Sequence, residues 1–241
     1  MNADAARGCL YMIPGPLHET ALQCIPAEVS EVLQRVDFFY VEKATTVRRF
    51  IRKLLPDINL EKKVWMEINK HESTSLEPLR HWLLDGAEVG LLSEAGCPGI
   101  ADPGQRLVAE AHRLGARVVP LTGPSAVLLA LMASGMNGQQ FRFCGYLPVE
   151  TRQRRQAISA LERRLQDTGE TQIFIETPYR NQRLLQALIQ QLSPATWLCV
   201  AAELTAPQAW IHSAPISEWK TTAWPDLHKK PAVFLIGYPA Q

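Results

Sequence analysis

"LLSEAGCPGIADPG", Leu91–Gly104, is the stretch whose reading decides the fold. It closes the apolar run Val89–Leu92 and then packs three glycines, two prolines and two acids into a dozen residues before a helical pattern resumes at Gln105. A strand, a loop poor in side chains and a helix make a β-α unit, and in open α/β sheets ligands bind beyond the carboxyl ends of the strands. Gly96 and Gly99 lack a Cβ, so the chain there can take positive φ and a ligand can approach bare backbone. Pro98 and Pro103 fix φ and lower the entropy of the open loop. The plainer reading is a simple turn, with Asp102 capping the following helix.

Working outward, short apolar runs alternate with amphipathic stretches. The pattern predicts strands at 9–13, 38–41, 88–92 and 117–120 and helices at 27–35, 46–55, 75–85 and 105–114, with a polar segment between residues 55 and 75. Repeated β-α-β of this kind implies a mostly parallel sheet covered by helices. "LTGPSAVLLALMASG" then opens a helix apolar nearly all round, as suits an element buried between layers. Strands near 141–145, 172–176, 197–201 and 232–237 and helices at 152–165 and 181–191 follow. Two α/β domains are expected, residues 1–121 and 122–241.

The 241 residues carry a formal net charge of +1, so any polyanionic partner must meet a local patch rather than a global field. Five scattered cysteines without a CxxC pair fit neither a disulfide framework nor a zinc site. The six histidines lack metal-ligand spacing, so no metal is expected. No apolar run reaches the roughly 18 residues of a membrane span, and "MNADAARGCLYMIP" lacks a secretory apolar core, so a cytoplasmic location is expected. GxGxxG, GxxxxGK[ST], GxSxG and HExxH are all absent from the sequence.

Three more strand ends carry loops of the same kind: "MIPGPLHET", "TGPSAV" and "IETPYRNQ". Four such loops on one edge point to a cleft. In their order and spacing, "LLSEAGCPGIADPGQRLV", "VVPLTGPSAVLLALMASG", "FRFCGYLP" with "RQRR", "IFIETPYR" and "AAELT" resemble the tetrapyrrole (corrin/porphyrin) methylase family. The resemblance is greatest to its ribosomal branch, which methylates a cytidine 2'-oxygen of small-subunit ribosomal RNA. It implies a two-domain class III methyltransferase with a mostly parallel first sheet and a mixed second one. It further implies an S-adenosyl-L-methionine cofactor in a cleft between the domains, and a homodimer. Carried onto this sequence, the cofactor-lining residues are Ser93, Ala95, Gly96, Cys97 and Ile100, with Ser125 and Ala126 from the next loop and helix. Pro16, Ala202 and Pro231 fall where the family's remaining contacts arise.

The cofactor loops match the family better than the substrate-facing segments do. The ribosomal "TPIGNLxDIT" reads "PGPLHETAL" here, "AEDTR" reads "VEKAT" at Val41–Thr45, "HEHN" reads "NKHE" at Asn69–Glu72, and "RELTK" reads "AELTA". The sequence also ends soon after its last strand, short of the carboxyl-terminal extension of many ribosomal members. Methyl transfer from a sulfonium depends above all on alignment of nucleophile, methyl and leaving sulfur. A ribose hydroxyl is a weak nucleophile and calls for a base. Glu42, at a strand end, is the first candidate and His71 the second; the alternative for Glu42 is an ion pair with Lys43 or Arg48. Arg142, Arg152, Arg154, Arg155, Arg163 and Arg164 form one basic run, and Arg48, Arg49, Arg52 and Lys53 another, either of which could track phosphates of ribosomal RNA or the small ribosomal subunit. Tyr179 and Arg180 could meet a base or only pack their loop; Trp197, Trp210, Trp219 and Trp224 are expected as core or dimer contacts rather than base platforms. Two other functions stay open: methylation of a tetrapyrrole or other small molecule, and a catalytically altered cofactor-binding paralogue.

Overall fold

A computed structural model describes residues 7–68 and 75–239. By backbone packing the chain divides into two compact units, Met1–Ser125 and Ala126–Gln241. The division falls just beyond the sequence-based break at 121/122.

In the first unit the order is β1 (Cys9–Ile13), α1 (Ala27–Arg35), β2 (Phe38–Val41), α2 (Ala44–Leu54), β3 (Val64–Glu67), α3 (Glu77–Leu84), β4 (Glu88–Leu92), α4 (Gln105–Arg113) and β5 (Arg117–Pro120). The five strands pair in the order β3-β2-β4-β1-β5, every pair parallel. β1 and β4 are central and nearly wholly buried, as continuous apolar runs in a sheet covered on both faces should be. One face packs Val29, Val32 and Leu33 of α1 with Phe50 and Ile51 of α2; the other packs Leu79 and Leu83 of α3 with Leu107 and Ala111 of α4.

β3 lies inside the segment read as merely polar. It is a four-residue edge strand with both end residues exposed, so the apolar contrast that marks a strand is nearly absent. Its last residue has a second role. Lys43 stands at the N-cap of α2, where a cation cannot accept from the free amides, and the Glu67 carboxylate accepts from the Ala44 N–H at 2.8 Å instead.

The second unit contains α5 (Ala126–Ser134), β6 (Phe141–Tyr146), α6 (Thr151–Thr168), β7 (Thr171–Ile175), α7 (Asn181–Gln191), β8 (Trp197–Ala202), β9 (Trp210–Pro215), α8 (Ile216–Trp219) and β10 (Ala232–Gly237). The sheet order is β6-β7-β10-β8-β9; β6 and β7 run parallel, while β10 is antiparallel to β7 and β8, and β9 is antiparallel to β8. β9 is another edge strand that the sequence pattern does not signal. Helix α5 lays Ala130 and Leu131 against Ile173, Cys199, Ala201, Val233 and Leu235 on one face. On the other, Leu161 and Leu165 of α6 and Leu184 and Leu188 of α7 pack with Phe174 and Phe234. Trp219 is 1% exposed and donates its indole N–H to the Leu198 carbonyl at 2.9 Å. Trp210 packs edge-on against it and Trp224 donates to its carbonyl, so these indoles serve the core, as expected.

Candidate functional site

At the carboxyl edge of the first sheet, the loops after β1 and β4 are joined backbone to backbone, and the loop after β5 packs beside them. Gly15 N–H donates to Gly96 O at 2.9 Å and Gly96 N–H donates to Gly15 O at 3.0 Å, an isolated antiparallel bridge between the loops that follow β1 and β4. A Cβ at Gly15 would stand 2.5 Å from Ser93 O and 3.0 Å from Glu94 O, so only glycine allows this approach. Gly96 has φ +76°, the left-handed region that glycine occupies without penalty, and a Cβ there would lie 3.3 Å from Leu17 Cδ2 and 3.6 Å from Pro124 O. Gly123 closes the third side: its Cβ would be 2.3 Å from the Pro14 ring.

These distances give the loop of Leu91–Gly104 its explanation. Gly96 does not present its peptide to solvent; its N–H and C=O hold Gly15. The residues beside it remain accessible: Ala95 and Gly99 are exposed, and Ile100 is 52% exposed. Pro16, Ser93 and Pro98 are buried beneath them. The cap of α4 differs from the plainer reading of the sequence. Gly104, not Asp102, occupies the N-cap, with φ +129° and no side-chain cap, and a Cβ there would strike Leu91 Cδ2 at 2.6 Å.

Cys97 is half-buried, and its Sγ lies 3.6 Å from Pro124 O and 3.8 Å from Gly123 O. Burial, with a smaller contribution from the Asp102 charge, pushes its thiol pKa up. The thiol is therefore protonated at neutral pH and a poor nucleophile. A methyl sulfonium needs a surround that aligns it and offers no competing nucleophile. A rigid rim of Ala95, Gly99 and Ile100 over carbonyl-rich turns, with its one thiol turned inward and protonated, fits that requirement.

Glu42 leaves the same edge. Val41 pairs in register with Leu92, so Glu42 follows β2 at the level where Ser93 follows β4. Arg48, the alternative partner of Glu42, binds Glu61. His71 and the rest of the Asn69–Glu72 segment lie outside the described residues. Sequence reasoning missed Gly15, Gly123 and Glu67; the "PGP" and "TGP" tripeptides carried the signal for the first two.

In the second unit Ala126, Ala202 and Pro231 gather at one end of the sheet. Ala202 pairs with Ala232, Pro231 O accepts from Glu203 N–H at 2.8 Å, and Ala126 packs on the cluster holding Ala201 and Val233. Glu203 and Thr205 both have positive φ, +51° and +70°. In the same unit, Arg180 binds the buried Glu176 at 2.6 Å, and Tyr179, 68% exposed, meets the His228 ring edge-on. The α2 cations are largely matched: Arg48 and Arg52 by Glu61, Lys53 by Glu19. Among the described residues no group of three or more His, Cys, Asp or Glu could hold a metal ion, and no helix is long and apolar enough to cross a membrane.

An all-parallel five-stranded sheet followed in the chain by a mixed sheet is the architecture of the class III methyltransferases. Two solved structures share the fold: the methyltransferase CobJ, at TM-score 0.61 and 17% identity over 97% of this chain and 95% of its own, and the uroporphyrin-III-C-methyltransferase of Thermus thermophilus, at 0.52 and 16% over 96% and 92%. The chain belongs to the Tetrapyrrole (Corrin/Porphyrin) Methylases, whose family model matches residues 21–219. It is an enzyme of methyl transfer. Curated relatives named Ribosomal RNA small subunit methyltransferase I are similar in sequence. The one from Escherichia coli O157:H7 is 34% identical over 90% of this chain and 72% of its own length. The one from Vibrio cholerae serotype O1 is 33% identical over 92% and 73%.

Proposed function

We propose that this enzyme transfers a methyl group from S-adenosyl-L-methionine to a ribose 2'-oxygen of small-subunit ribosomal RNA, in the cytoplasm and as a homodimer. The observation that carries the reading is the one-third identity, over nine-tenths of this chain, to relatives named for small-subunit ribosomal RNA. When bound, the cofactor supplies an electrophilic methyl group on a positively charged sulfur. Ser93, Ala95, Gly96, Cys97, Ile100 and Pro16 from the first unit and Ser125 at its end would hold it, with Ala126, Ala202 and Pro231 contributed by the second unit.

The chain's own contribution is alignment and proton removal. Loops fixed by the Gly15–Gly96 bridge give the reacting atoms a preset frame, and such positioning can contribute about 7–11 kcal/mol to a two-reactant step. Glu42, anchored between β2 and the capped start of α2, takes the proton of the attacking hydroxyl, with His71 the second candidate. General-base assistance of this kind adds roughly 10²–10⁴-fold. Helix α5 supports the dimer: Leu128 and Met132, one turn apart, are 51% and 79% exposed.

The test is transfer of labelled methyl to three acceptors: small ribosomal subunits, free RNA and a small-molecule extract. Label in RNA, recovered in dinucleotides that resist alkali because the 2'-oxygen is blocked, is expected. Label confined to the small-molecule fraction overturns the reading in favour of a small-molecule methylase.

A further inference from the structure

The second unit carries a basic groove that the cofactor loops do not use. Between α6 and α7 lies an open hollow of about 860 Å³, lined by Arg154, Arg155, Arg163 and Arg183, with the remaining wall chiefly of glutamines such as Gln186 and Gln190. No acid lines it. We propose that this groove docks the sugar–phosphate backbone of RNA, an inference that rests on the acceptor being RNA as argued above.

Four guanidinium groups around one hollow repel each other unless an anion sits among them. Asp167, four residues beyond Arg163 on α6, makes no ion pair with it, and the two glutamates of α6 and its cap are engaged elsewhere. Glu150 caps α6, accepting from the Arg152 and Gln153 N–H groups at 2.8 and 2.7 Å. Glu162 accepts from Ser193 N–H and the Thr196 hydroxyl at 2.7 and 2.6 Å. Neighbouring Arg164, outside the groove, has found Glu170 at 2.6 Å. Among the described residues none of the four groove arginines makes an ion pair, in contrast to the α2 patch with its Glu61 and Glu19.

Arg155 and Arg163 lie eight residues apart on α6, a separation of about 12 Å along the axis, so the charge forms a row rather than a point. The row has a firm base. Gln191 at the end of α7 donates to Arg155 O at 2.5 Å and Ser159 Oγ at 2.9 Å, tying the helices together. Arg154 is held through its Nη1 donating to Val149 O at 3.1 Å, while its buried Nε has no partner. Guanidinium groups match phosphate oxygens as planar, two-pronged donors, and the glutamine amides can both donate to phosphates and accept from 2'-hydroxyls. A polyanion with sugar hydroxyls therefore fits better than an acidic protein segment.

The test compares the intact enzyme with the triple variant R155Q/R163Q/R183Q, whose three positions are exposed, and with R48Q/R49Q/R52Q on α2. RNA binding to a small-subunit ribosomal RNA fragment is followed by fluorescence anisotropy across salt concentrations. Three lost phosphate contacts lower the slope of log K against log salt by about 2 to 3 and weaken affinity at 0.15 M salt at least about tenfold. The α2 variant is expected to stay close to wild type, and calorimetric binding of S-adenosylmethionine should be unaltered in both, which shows that they fold. Unchanged slope and affinity in the α6/α7 variant, with methyl transfer to RNA intact in the wild type, would overturn the groove alone. A wild type that neither binds nor methylates RNA would overturn the functional reading and the groove with it. Binding of labelled polyglutamate to the wild type, lost in the α6/α7 variant, with no binding of RNA would assign the groove to an acidic protein.

Discussion

Replacing Gly15 by alanine tests the joined loops directly. The added Cβ would stand 2.5 Å from Ser93 O, where ordinary contact begins near 3.4 Å, so the β1 and β4 loops must part by about 1 Å. That opening takes the two Gly15–Gly96 bonds, now 2.9 and 3.0 Å, beyond hydrogen-bonding range. Each backbone bond contributes about 0.5–1.5 kcal/mol net, so the variant should lose about 1–3 kcal/mol in urea unfolding. Gly115→Ala is the matched control. Its φ is +69° with nothing within 4 Å of a new Cβ, so it suffers only left-handed strain of about 1–2 kcal/mol, far from the rim. The two variants should be destabilised alike, yet only Gly15→Ala should weaken S-adenosylmethionine binding, by tenfold or more in titration calorimetry. Equal affinities in the two would show that the bridge between the loops has no part in shaping the cofactor berth.

Other outcomes follow from single contacts. Glu42→Gln should lower kcat about 10²–10⁴-fold while leaving cofactor affinity in place; an unchanged rate removes Glu42 as the base. Because the Cys97 thiol is held above its ordinary pKa, its iodoacetamide labelling rate should still be climbing at pH 9, and Cys97→Ala should keep activity within a few-fold. Glu110 is hydrogen-bonded by Arg80 and Arg113, which lower its pKa. A depressed carboxyl contributes stability above its unfolded pKa and loses it as pH falls through the folded value. Acid unfolding of Glu110→Gln should therefore show a shallower dependence than wild type below the ordinary carboxylate range. Met132→Glu should shift sedimentation toward monomer if α5 forms the dimer contact.

The elements that the sequence made legible are those buried on both faces. β1, β4 and β10 stand out because nearly every residue is apolar, and α1 and α7 because their apolar stripes are sharp. The edge strands β3 and β9 were illegible for the converse reason: "VWME" and "WIHSAP" bury too little to break the surrounding polarity. At the site, a loop poor in side chains was readable as a binding loop, but the partner of Gly96 was not. Nothing in one strand-end loop announces that its peptide will pair with another 81 residues away, since that pairing arises only when β1 and β4 become neighbours. Arg183 went unnoticed beside the basic run because it stands alone in sequence and joins the row only through the packing of α6 and α7.

The carboxylate of Glu67 at the start of α2 frees position 43 from an architectural duty. With the first amide of the helix satisfied from a different strand, the loop between β2 and α2 needs no accepting side chain at position 43 and accommodates the cation of Lys43 without losing its frame. The identity of the side chain at position 43 is thereby uncoupled from the folding of α2. Chains of this kind would escape a search keyed to the ribosomal branch's "AEDTR" while retaining every strand beneath it.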